Sequence, residues 1–171
     1  MQNYFSLFNL PQQFNIDIKT LEVNFRKIQS ESHPDRFVSG TTSEKLHAMQ
    51  TATLANEAYV TLKEPALRAA YLLGLQGIDA TPETNTKMPA DFLMQQMEWR
   101  EALEDAKQAK NIDDLEALQK EMQTEAKALQ LDLHTFFDEK HDLAAATEST
   151  RKLIFIDKVC ADTNKAIEQL D

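Results

Sequence analysis

Between residues 115 and 136, apolar side chains recur at steps of three or four residues along the chain. They are Leu115, Leu118, Met122, Ala126, Leu129, Leu133 and Phe136. An α-helix turns once every 3.6 residues, so this spacing places all of them on one face of a helix. The sequence carries no convincing run of alternating β-branched and polar residues, which is the pattern of a half-buried strand. Only 3 glycines and 5 prolines interrupt its 171 residues, and we therefore predict an all-α protein.

Two further helices flank this one and complete the C-terminal half of the chain. Their apolar patterns predict one helix over about residues 89–110 and another over about residues 142–170. Asn111 or Asp113 is expected to cap the middle helix. Three helices joined by short turns predict an antiparallel three-helix bundle over residues 89–171.

Residues 1–75 form a separate predicted module, and the polar residues 76–88 are interpreted as a linker. Two apolar stripes in this module predict an antiparallel hairpin of helices, to which two short helices are added. The stripes are Ile18, Leu21, Phe25 and Ile28 in the first helix, and Ala48, Ala52, Ala55, Tyr59 and Leu62 in the second. Thr42 or Ser43 is expected to cap the second helix, and Gly74 is expected to end the last short helix.

The net charge of −10 lies entirely in the second half of the chain. Residues 1–75 carry seven Lys or Arg and seven Asp or Glu, whereas residues 76–171 carry eleven basic and twenty-one acidic side chains. Such an asymmetry is typical of two modules with different surfaces. It argues against nucleic acid as a partner, because binding to phosphates needs a basic surface.

Several classes of chemistry are excluded by what the sequence lacks. Its single cysteine, Cys160, rules out an intramolecular disulfide and a cysteine metal cluster, and its 4 histidines do not follow a zinc-ligand spacing. No glycine-rich phosphate loop occurs, so we expect no cofactor and no ATP hydrolysis by this chain. No apolar run of about 20 residues could span a membrane, and no basic leader precedes the first helix. We therefore expect a cytoplasmic protein with no membrane partner.

His33, Pro34 and Asp35 stand between the two predicted hairpin helices. The helical backbone conformation is disfavoured for a residue that precedes proline, so the first helix is expected to end near Ser32 or His33. The triplet is then expected to lie at an exposed corner. Residue type alone allows two interpretations: an ordinary turn ended by proline, or a rigid recognition site carrying an imidazole, a carboxylate and the guanidinium of Arg36. An enzyme that uses His33 and Asp35 as acid and base is a third, although no pocket or third group is suggested.

The segments around this corner together resemble a J-domain, the family that activates the ATPase of DnaK-class chaperones. The matching features are a short N-terminal helix, a basic helix before His33-Pro34-Asp35, Glu57-Ala58-Tyr59 with Leu62, and Arg68-Ala69-Ala70-Tyr71. The resemblance implies an activating loop with a docking face beside it. The residues that would contact the chaperone are His33, Pro34, Asp35, Arg26, Lys27 and Arg36. Because Glu31 and Ser32 stand where many J-domains have a base and an aromatic residue, we expect a specialised chaperone partner.

Two helices of the predicted bundle carry more apolar residues than one buried face needs. At about 100° per residue, the core lines are Phe92, Gln96, Trp99, Leu103 and Ala106 in the first helix, and Leu153, Ile156, Cys160 and Ile167 in the third. Met94 and Met97 lie nearly opposite the first line, and Phe155 lies far from the second. These outward residues form a protein-binding patch rimmed by charge, or they are covered by the N-terminal module or another contact. The pattern allows both interpretations.

Over its full length the chain resembles the HscB-type co-chaperones of iron–sulfur cluster assembly, in their bacterial form. Besides the J-domain features, the matching segments are Tyr4-Phe5, Arg36-Phe37, Leu72-Leu73, Phe92-Leu93-Met94 through Glu101, Arg151-Lys152-Leu153 with Phe155, and Asp157-Lys158. The resemblance implies two partners, an HscA-like DnaK-class chaperone and an IscU-like scaffold protein, and no enzymatic activity of the chain itself. The residues that would contact the scaffold are Leu93, Met94, Met97, Glu98, Glu101, Asp105 and Phe155.

Two other functions stay open beside this one. A helical interaction protein with no chaperone role would leave the ATPase rate of any chaperone unchanged. A J-domain protein that serves another client would stimulate the ATPase but would not bind the scaffold.

Overall fold

The chain is helical in both of the ranges that the computed structural model describes, residues 2–81 and 88–171, and neither range contains a β-strand. The helices are α1 (Tyr4–Leu7), α2 (Ile18–Glu31), α3 (Thr42–Lys63), α4 (Pro65–Leu75), α5 (Ala90–Gln108), α6 (Ile112–His134) and α7 (Leu143–Leu170). A 3₁₀ turn covers Pro34–Phe37, and a π-helical turn covers Thr135–Glu139. None of the described helices combines the length and the apolar content needed to cross a membrane. The predicted all-α fold, a hairpin with two short helices followed by a three-helix bundle, is confirmed.

The chain divides into two compact units, residues 1–72 and residues 73–171, and the division falls inside α4. Within the predicted linker, residues 82–87 lie outside the described part of the chain. The residues just before them belong to the second unit, where Arg151 of α7 donates from Nη2 to the carbonyl oxygen of Asp79 at 3.1 Å. The boundaries predicted for the linker and the two modules stay predictions.

In the first unit, α2 and α3 pack against each other as the predicted antiparallel hairpin. Leu21 of α2 and Leu62 of α3 are fully buried. The rings of Phe25 and Tyr59 stack between the helices, with 4.1 Å between their centroids. Ile18 departs from the predicted stripe, because it is the first residue of α2 and is 36 % exposed there.

The N-terminus of α3 begins one residue earlier than the sequence predicts. Thr41, rather than Thr42 or Ser43, is the N-cap, since its hydroxyl accepts the backbone N–H of Glu44 at 3.1 Å. The same hydroxyl donates to the Glu44 carboxylate at 3.2 Å, which holds the threonine in place. This exchange satisfies one of the amides that the first turn of a helix leaves without a helical partner.

The C-terminus of α4 also differs from the prediction. Gly74 lies inside α4, and Gly77 ends it instead, with a φ of 77° that suits a residue without Cβ. The N–H of Gly77 donates to the carbonyl of Gly74 at 3.0 Å, and the N–H of Ile78 donates to that of Leu73 at 2.9 Å. This pair of bonds is a Schellman motif, which closes the last carbonyls of the helix.

α4 is joined to the start of the chain and to the end of α3 by its two larger side chains. The ring of Tyr71 stacks on Tyr4 with 4.4 Å between centroids, and its hydroxyl accepts the Tyr4 amide at 3.0 Å. Arg68 is buried, and its Nη1 donates to the carbonyl of Leu62 at 2.7 Å. Its guanidinium carbon also lies 4.7 Å from the centroid of the Phe14 ring. The Arg68–Tyr71 segment therefore holds the first unit together.

In the second unit, α5, α6 and α7 form the bundle, with α6 and α7 in the most extensive contact. The predicted stripe of α6 is buried from Leu115 to Leu133. Phe136 is an exception, because it is half-buried and Phe137 takes its place in the core. The π-helical turn explains this shift: its bond from the N–H of Lys140 to the carbonyl of Thr135, at 2.9 Å, spans five residues and moves the buried position along by one.

The buried line of α7 also differs from the prediction. It runs through Leu153, Ile156, Val159, Thr163 and Ala166, whereas Cys160 and Ile167 are only half-buried. A threonine enters this core because its hydroxyl bonds to its own helix: Thr163 donates to the carbonyl of Val159 at 2.8 Å. The predicted line contained no threonine. It therefore named Cys160 and Ile167, each one residue after the positions that are buried, Val159 and Ala166.

Candidate partner-binding surfaces

His33 is the N-cap of the 3₁₀ turn, at the corner between α2 and α3. Its backbone is extended, with φ −63° and ψ 137°, as expected before a proline. Its Nδ1 accepts the backbone N–H of Asp35 at 3.2 Å, so the proton of the neutral imidazole is assigned to Nε2. The side chains of His33 and Asp35 are 57 % and 89 % exposed. The corner therefore presents an imidazole N–H and a carboxylate to solvent.

The imidazole and the carboxylate of this corner are not hydrogen-bonded to each other. His33 Nδ1 lies 3.6 Å from Asp35 Oδ2, which is too long for a hydrogen bond, and Nδ1 is already occupied by the Asp35 amide. The backbone of the turn, rather than the Asp35 carboxylate, therefore orients the imidazole.

Basic side chains adjoin the corner on one side. A shallow open groove of about 470 Å³ is lined by Arg26, Gln29, Ser30, His33, Asp35 and Arg36. The structure therefore brings together four of the residues predicted to bind the chaperone, and Lys27 is exposed on α2 beside them. We call Arg26, Lys27, His33, Pro34, Asp35 and Arg36 the corner surface.

Pro34 lines a second groove, which is mostly apolar and has a volume of about 480 Å³. Phe37, Val38 and Met49 also line it, and Val38 and Met49 are 72 % and 64 % exposed. Ser32 lies in its wall and is buried there. No helical stripe predicts this groove; the only signal for it in the sequence is that Val38 and Met49 belong to no apolar stripe.

On α5, the residues predicted to bind the scaffold lie on one exposed face. Leu93, Met94 and Met97 are 42 %, 63 % and 67 % exposed. Glu98, Glu101 and Asp105 are exposed as well and follow Met94 at one-turn intervals, so they continue the same line along the helix. The buried residues Phe92, Trp99, Leu103 and Ala106 occupy the opposite side of α5, as predicted.

Phe155 of α7 lies closer to the core than the helical pattern predicts. It is half-buried, and its ring meets the ring of Phe92 edge-on, with 6.0 Å between centroids and 83° between planes. The guanidinium carbon of Arg100 lies 5.6 Å from the centroid of the Phe155 ring. A helical wheel of α7 alone omits the neighbouring helix, and Phe92 of α5 packs against this ring. We call Leu93, Met94, Met97, Glu98, Glu101, Asp105 and Phe155 the α5–α7 patch.

Neither surface resembles a metal centre. Within residues 2–81 and 88–171, no group of three His, Cys, Asp or Glu side chains is placed to hold a metal ion. Burial, with a smaller contribution from the charge of Asp157, raises the pKa of the Cys160 thiol to about 11. That thiol is therefore protonated at neutral pH and belongs to the edge of the bundle core.

Comparison with known proteins gives consistent similarities over both units. Residues 88–164 match the family described as the HSCB C-terminal oligomerisation domain. The chain is 47 % identical to the co-chaperone protein HscB homologs of Paraburkholderia phymatum and Burkholderia thailandensis, over 99 % of this chain and 96 % of each relative. Among solved structures, it is similar to the chaperone HscB from Vibrio cholerae, with 36 % identity and a TM-score of 0.86 over 99 % of this chain and 100 % of that one. It is also similar to the human co-chaperone protein HscB, with 27 % identity and a TM-score of 0.89 over 96 % of this chain and 82 % of that one.

Proposed function

Because the chain belongs to the HscB family of co-chaperones, we propose that it acts in iron–sulfur cluster assembly as an adaptor with two binding surfaces. The corner surface docks on an HscA-like chaperone of the DnaK class and stimulates its ATPase. The α5–α7 patch holds an IscU-like scaffold protein and delivers it to that chaperone, which promotes transfer of the cluster. We place this activity in the cytoplasm, and the chain takes part by docking rather than by chemistry of its own.

The corner surface suits docking because its groups are both exposed and fixed. Pro34 restricts the backbone, and the Asp35 amide holds the imidazole of His33 in one orientation. Arg26 and Arg36 supply positive charge in the same groove. A partner with a carboxylate or carbonyl opposite Nε2 and an acidic face opposite α2 would match these groups. Stimulation then requires that the corner surface bind the hydrolysis-competent state of the chaperone more tightly than its other state.

The α5–α7 patch suits a protein partner because exposed apolar groups lie together and carboxylates adjoin them. The exposed area of Leu93, Met94 and Met97 gives an apolar centre. The carboxylates that continue the line along α5 give this centre a charged rim. Protein interfaces commonly have an apolar centre and a polar rim, with methionine enriched in them. This arrangement is the observation that carries the scaffold-binding role.

Carrying both surfaces on one chain gives a physical advantage. When the patch holds the scaffold and the corner surface docks on the chaperone, the scaffold meets its receptor at an effective concentration of about 1 mM for a short linker. Delivery therefore needs no new contact between the scaffold and this chain. It needs only that both surfaces be occupied at once.

The proposal is tested by steady-state ATPase rates of the HscA-like chaperone and by calorimetric binding of the scaffold. We expect His33→Gln to abolish stimulation without changing the affinity for the scaffold. Combined alanine substitution of Leu93, Met97 and Phe155 is expected to weaken scaffold binding while direct stimulation of the chaperone persists. His47→Gln and Leu131→Ala are matched controls, since both residues are exposed and lie outside the two surfaces.

Two results would overturn parts of this proposal. Normal stimulation by His33→Gln would exclude the corner surface as the activating loop. Unchanged scaffold affinity in the triple variant would exclude the α5–α7 patch, and stimulation without any scaffold binding by the unmodified protein would favour a J-domain protein that serves another client.

A further inference from the structure

Phe155 of the α5–α7 patch and two side chains outside the patch form a series of contacts between α7 and α5. Phe155 and Asp162 stand two turns apart on α7, so they lie on nearly the same line of that helix. Arg100 reaches across from α5 and touches both. Its Nη1 donates to Asp162 Oδ2 at 2.9 Å, and its guanidinium carbon lies 5.6 Å from the centroid of the Phe155 ring.

We propose that Asp162 is a positioning residue for scaffold binding, which acts by holding Arg100 over the ring of Phe155. This inference rests on the scaffold-binding role proposed above for the patch. Asp162 itself lies outside the set of residues assigned there. Its role is to fix the orientation of an aromatic ring that the scaffold would meet.

The contacts of Phe155 show why its ring needs this support. The ring of Phe92 packs against it at 83° between planes, and the Phe155 side chain is only half-buried. Arg100 contacts its face, where the negative charge of the aromatic π-system attracts a cation. With Phe92 and Arg100 both in contact, the ring has less freedom than a free side chain, so less of its ordering is left to the binding of the scaffold.

The hydrogen bond to Asp162 favours the conformation of Arg100 that lies over the Phe155 ring. The side chains of Arg100 and Asp162 are 39 % and 47 % exposed, so their ion pair contributes little to the stability of the fold. What the carboxylate does supply is geometry, because it fixes one end of a flexible arginine whose planar guanidinium can then lie against the ring. Without the carboxylate, the arginine regains its rotamer freedom in solvent.

The experiment compares the full-length protein with Asp162→Asn, and uses Glu168→Gln as the matched control. Glu168 lies on the same helix, and its substitution removes the same charge while keeping an acceptor for Asn164, which donates to it at 3.3 Å. Two measurements are made: the aromatic NMR signals of phenylalanine-labelled free protein, and calorimetric affinity for the purified apo form of the IscU-like scaffold. The affinity measurement is repeated in a Phe155→Leu background.

We expect Asp162→Asn to shift the ring signals of Phe155 and to weaken scaffold binding about two- to fivefold, the range of a cation–π contact at an exposed site. Asp162→Glu is expected to restore both, and Glu168→Gln to change neither. In the Phe155→Leu background, Asp162→Asn is expected to have no further effect, because no ring remains to be positioned.

The outcomes separate this inference from the function on which it rests. Failure of the unmodified protein to bind the scaffold would overturn the proposed function and this role with it. Normal binding combined with unchanged Phe155 signals in Asp162→Asn would overturn the positioning role alone. An equal loss of affinity in the Phe155→Leu background would also overturn it, since Asp162 would then act without the ring.

Discussion

The imidazole of His33 is oriented by the backbone amide of Asp35, which donates to Nδ1 at 3.2 Å. One nitrogen of the ring thus maintains the turn, and the other, Nε2, is left to face a partner. The two roles are separable by substitution, because an asparagine side chain can accept the same amide two residues ahead but offers no group at the position of Nε2.

We predict that His33→Asn keeps the fold and loses stimulation of the chaperone. The expected change in unfolding free energy is below about 0.5 kcal/mol, as for most substitutions at exposed positions. The loss of stimulation is expected to be about tenfold or more, because a partner group left without its hydrogen bond costs about 1–3 kcal/mol. Urea unfolding and steady-state ATPase rates provide the two measurements. If His33→Asn still stimulated the chaperone, the role of His33 would be to maintain the turn, and Nε2 would not be needed.

The N-terminus of α3 offers a prediction with its own control. Thr41→Ala removes the cap and is expected to lower the unfolding free energy of the first unit by about 1 kcal/mol. Thr42→Ala removes the same atoms from the first helical position and is expected to change it much less, since alanine is a good helix former. Circular dichroism during urea unfolding measures both. A larger effect at Thr42 would restore the cap that the sequence predicts.

The sequence predicts those parts of this fold that depend on one helix at a time. Stripes such as the one from Leu115 to Leu133 require only the period of the helix, and the structure buries them as predicted. Two of the errors occur where another element intervenes. Phe137 replaces Phe136 because a π-helical turn changes the period, and Phe155 is half-buried because Phe92 of α5 lies against it.

The candidate surfaces are predictable to the same extent and for the same reason. Exposure of Met94 and Met97 follows from the wheel of α5 alone. The groove beside Pro34 and the contact between Arg100 and Asp162 join residues far apart in sequence, so no periodicity could indicate them. Relationships across helices need coordinates, whereas faces of single helices do not.

Cys160 provides a prediction about pH. Burial and the nearby charge of Asp157 raise the pKa of the thiol from 9.0 to about 11, so at neutral pH the folded protein holds about 100-fold less thiolate than an unperturbed cysteine would. Alkylation by iodoacetamide is expected to be slower by a similar factor, and urea is expected to restore the ordinary rate. Mass spectrometry over time measures both rates.

The same shift affects stability at high pH. Because the folded state binds this proton more tightly than the unfolded state, its contribution is fully present below pH 9 and is lost as the pH rises toward 11. Cys160→Ala is therefore expected to show a smaller loss of unfolding free energy than the unmodified protein over this range. Equal losses would contradict the raised pKa.

The last prediction concerns the acidic residues of the α5–α7 patch and the rate at which the scaffold associates. Glu98 and Glu101 are exposed beside the apolar centre of the patch, and charges at the rim of an interface mainly steer the encounter of the partners. We predict that Glu98→Gln combined with Glu101→Gln lowers the association rate constant with the scaffold by about tenfold at low ionic strength. The dissociation rate is expected to change little. Because the Debye length shortens to about 8 Å at 0.15 M salt, the difference is expected to narrow there.

Stopped-flow association at several salt concentrations measures this effect. The matched control is Glu116→Gln combined with Glu125→Gln, which removes two exposed charges from α6 and leaves the patch intact. If the control pair slowed association equally, the net charge of the bundle would steer the scaffold. Glu98 and Glu101 would then have no specific role in association.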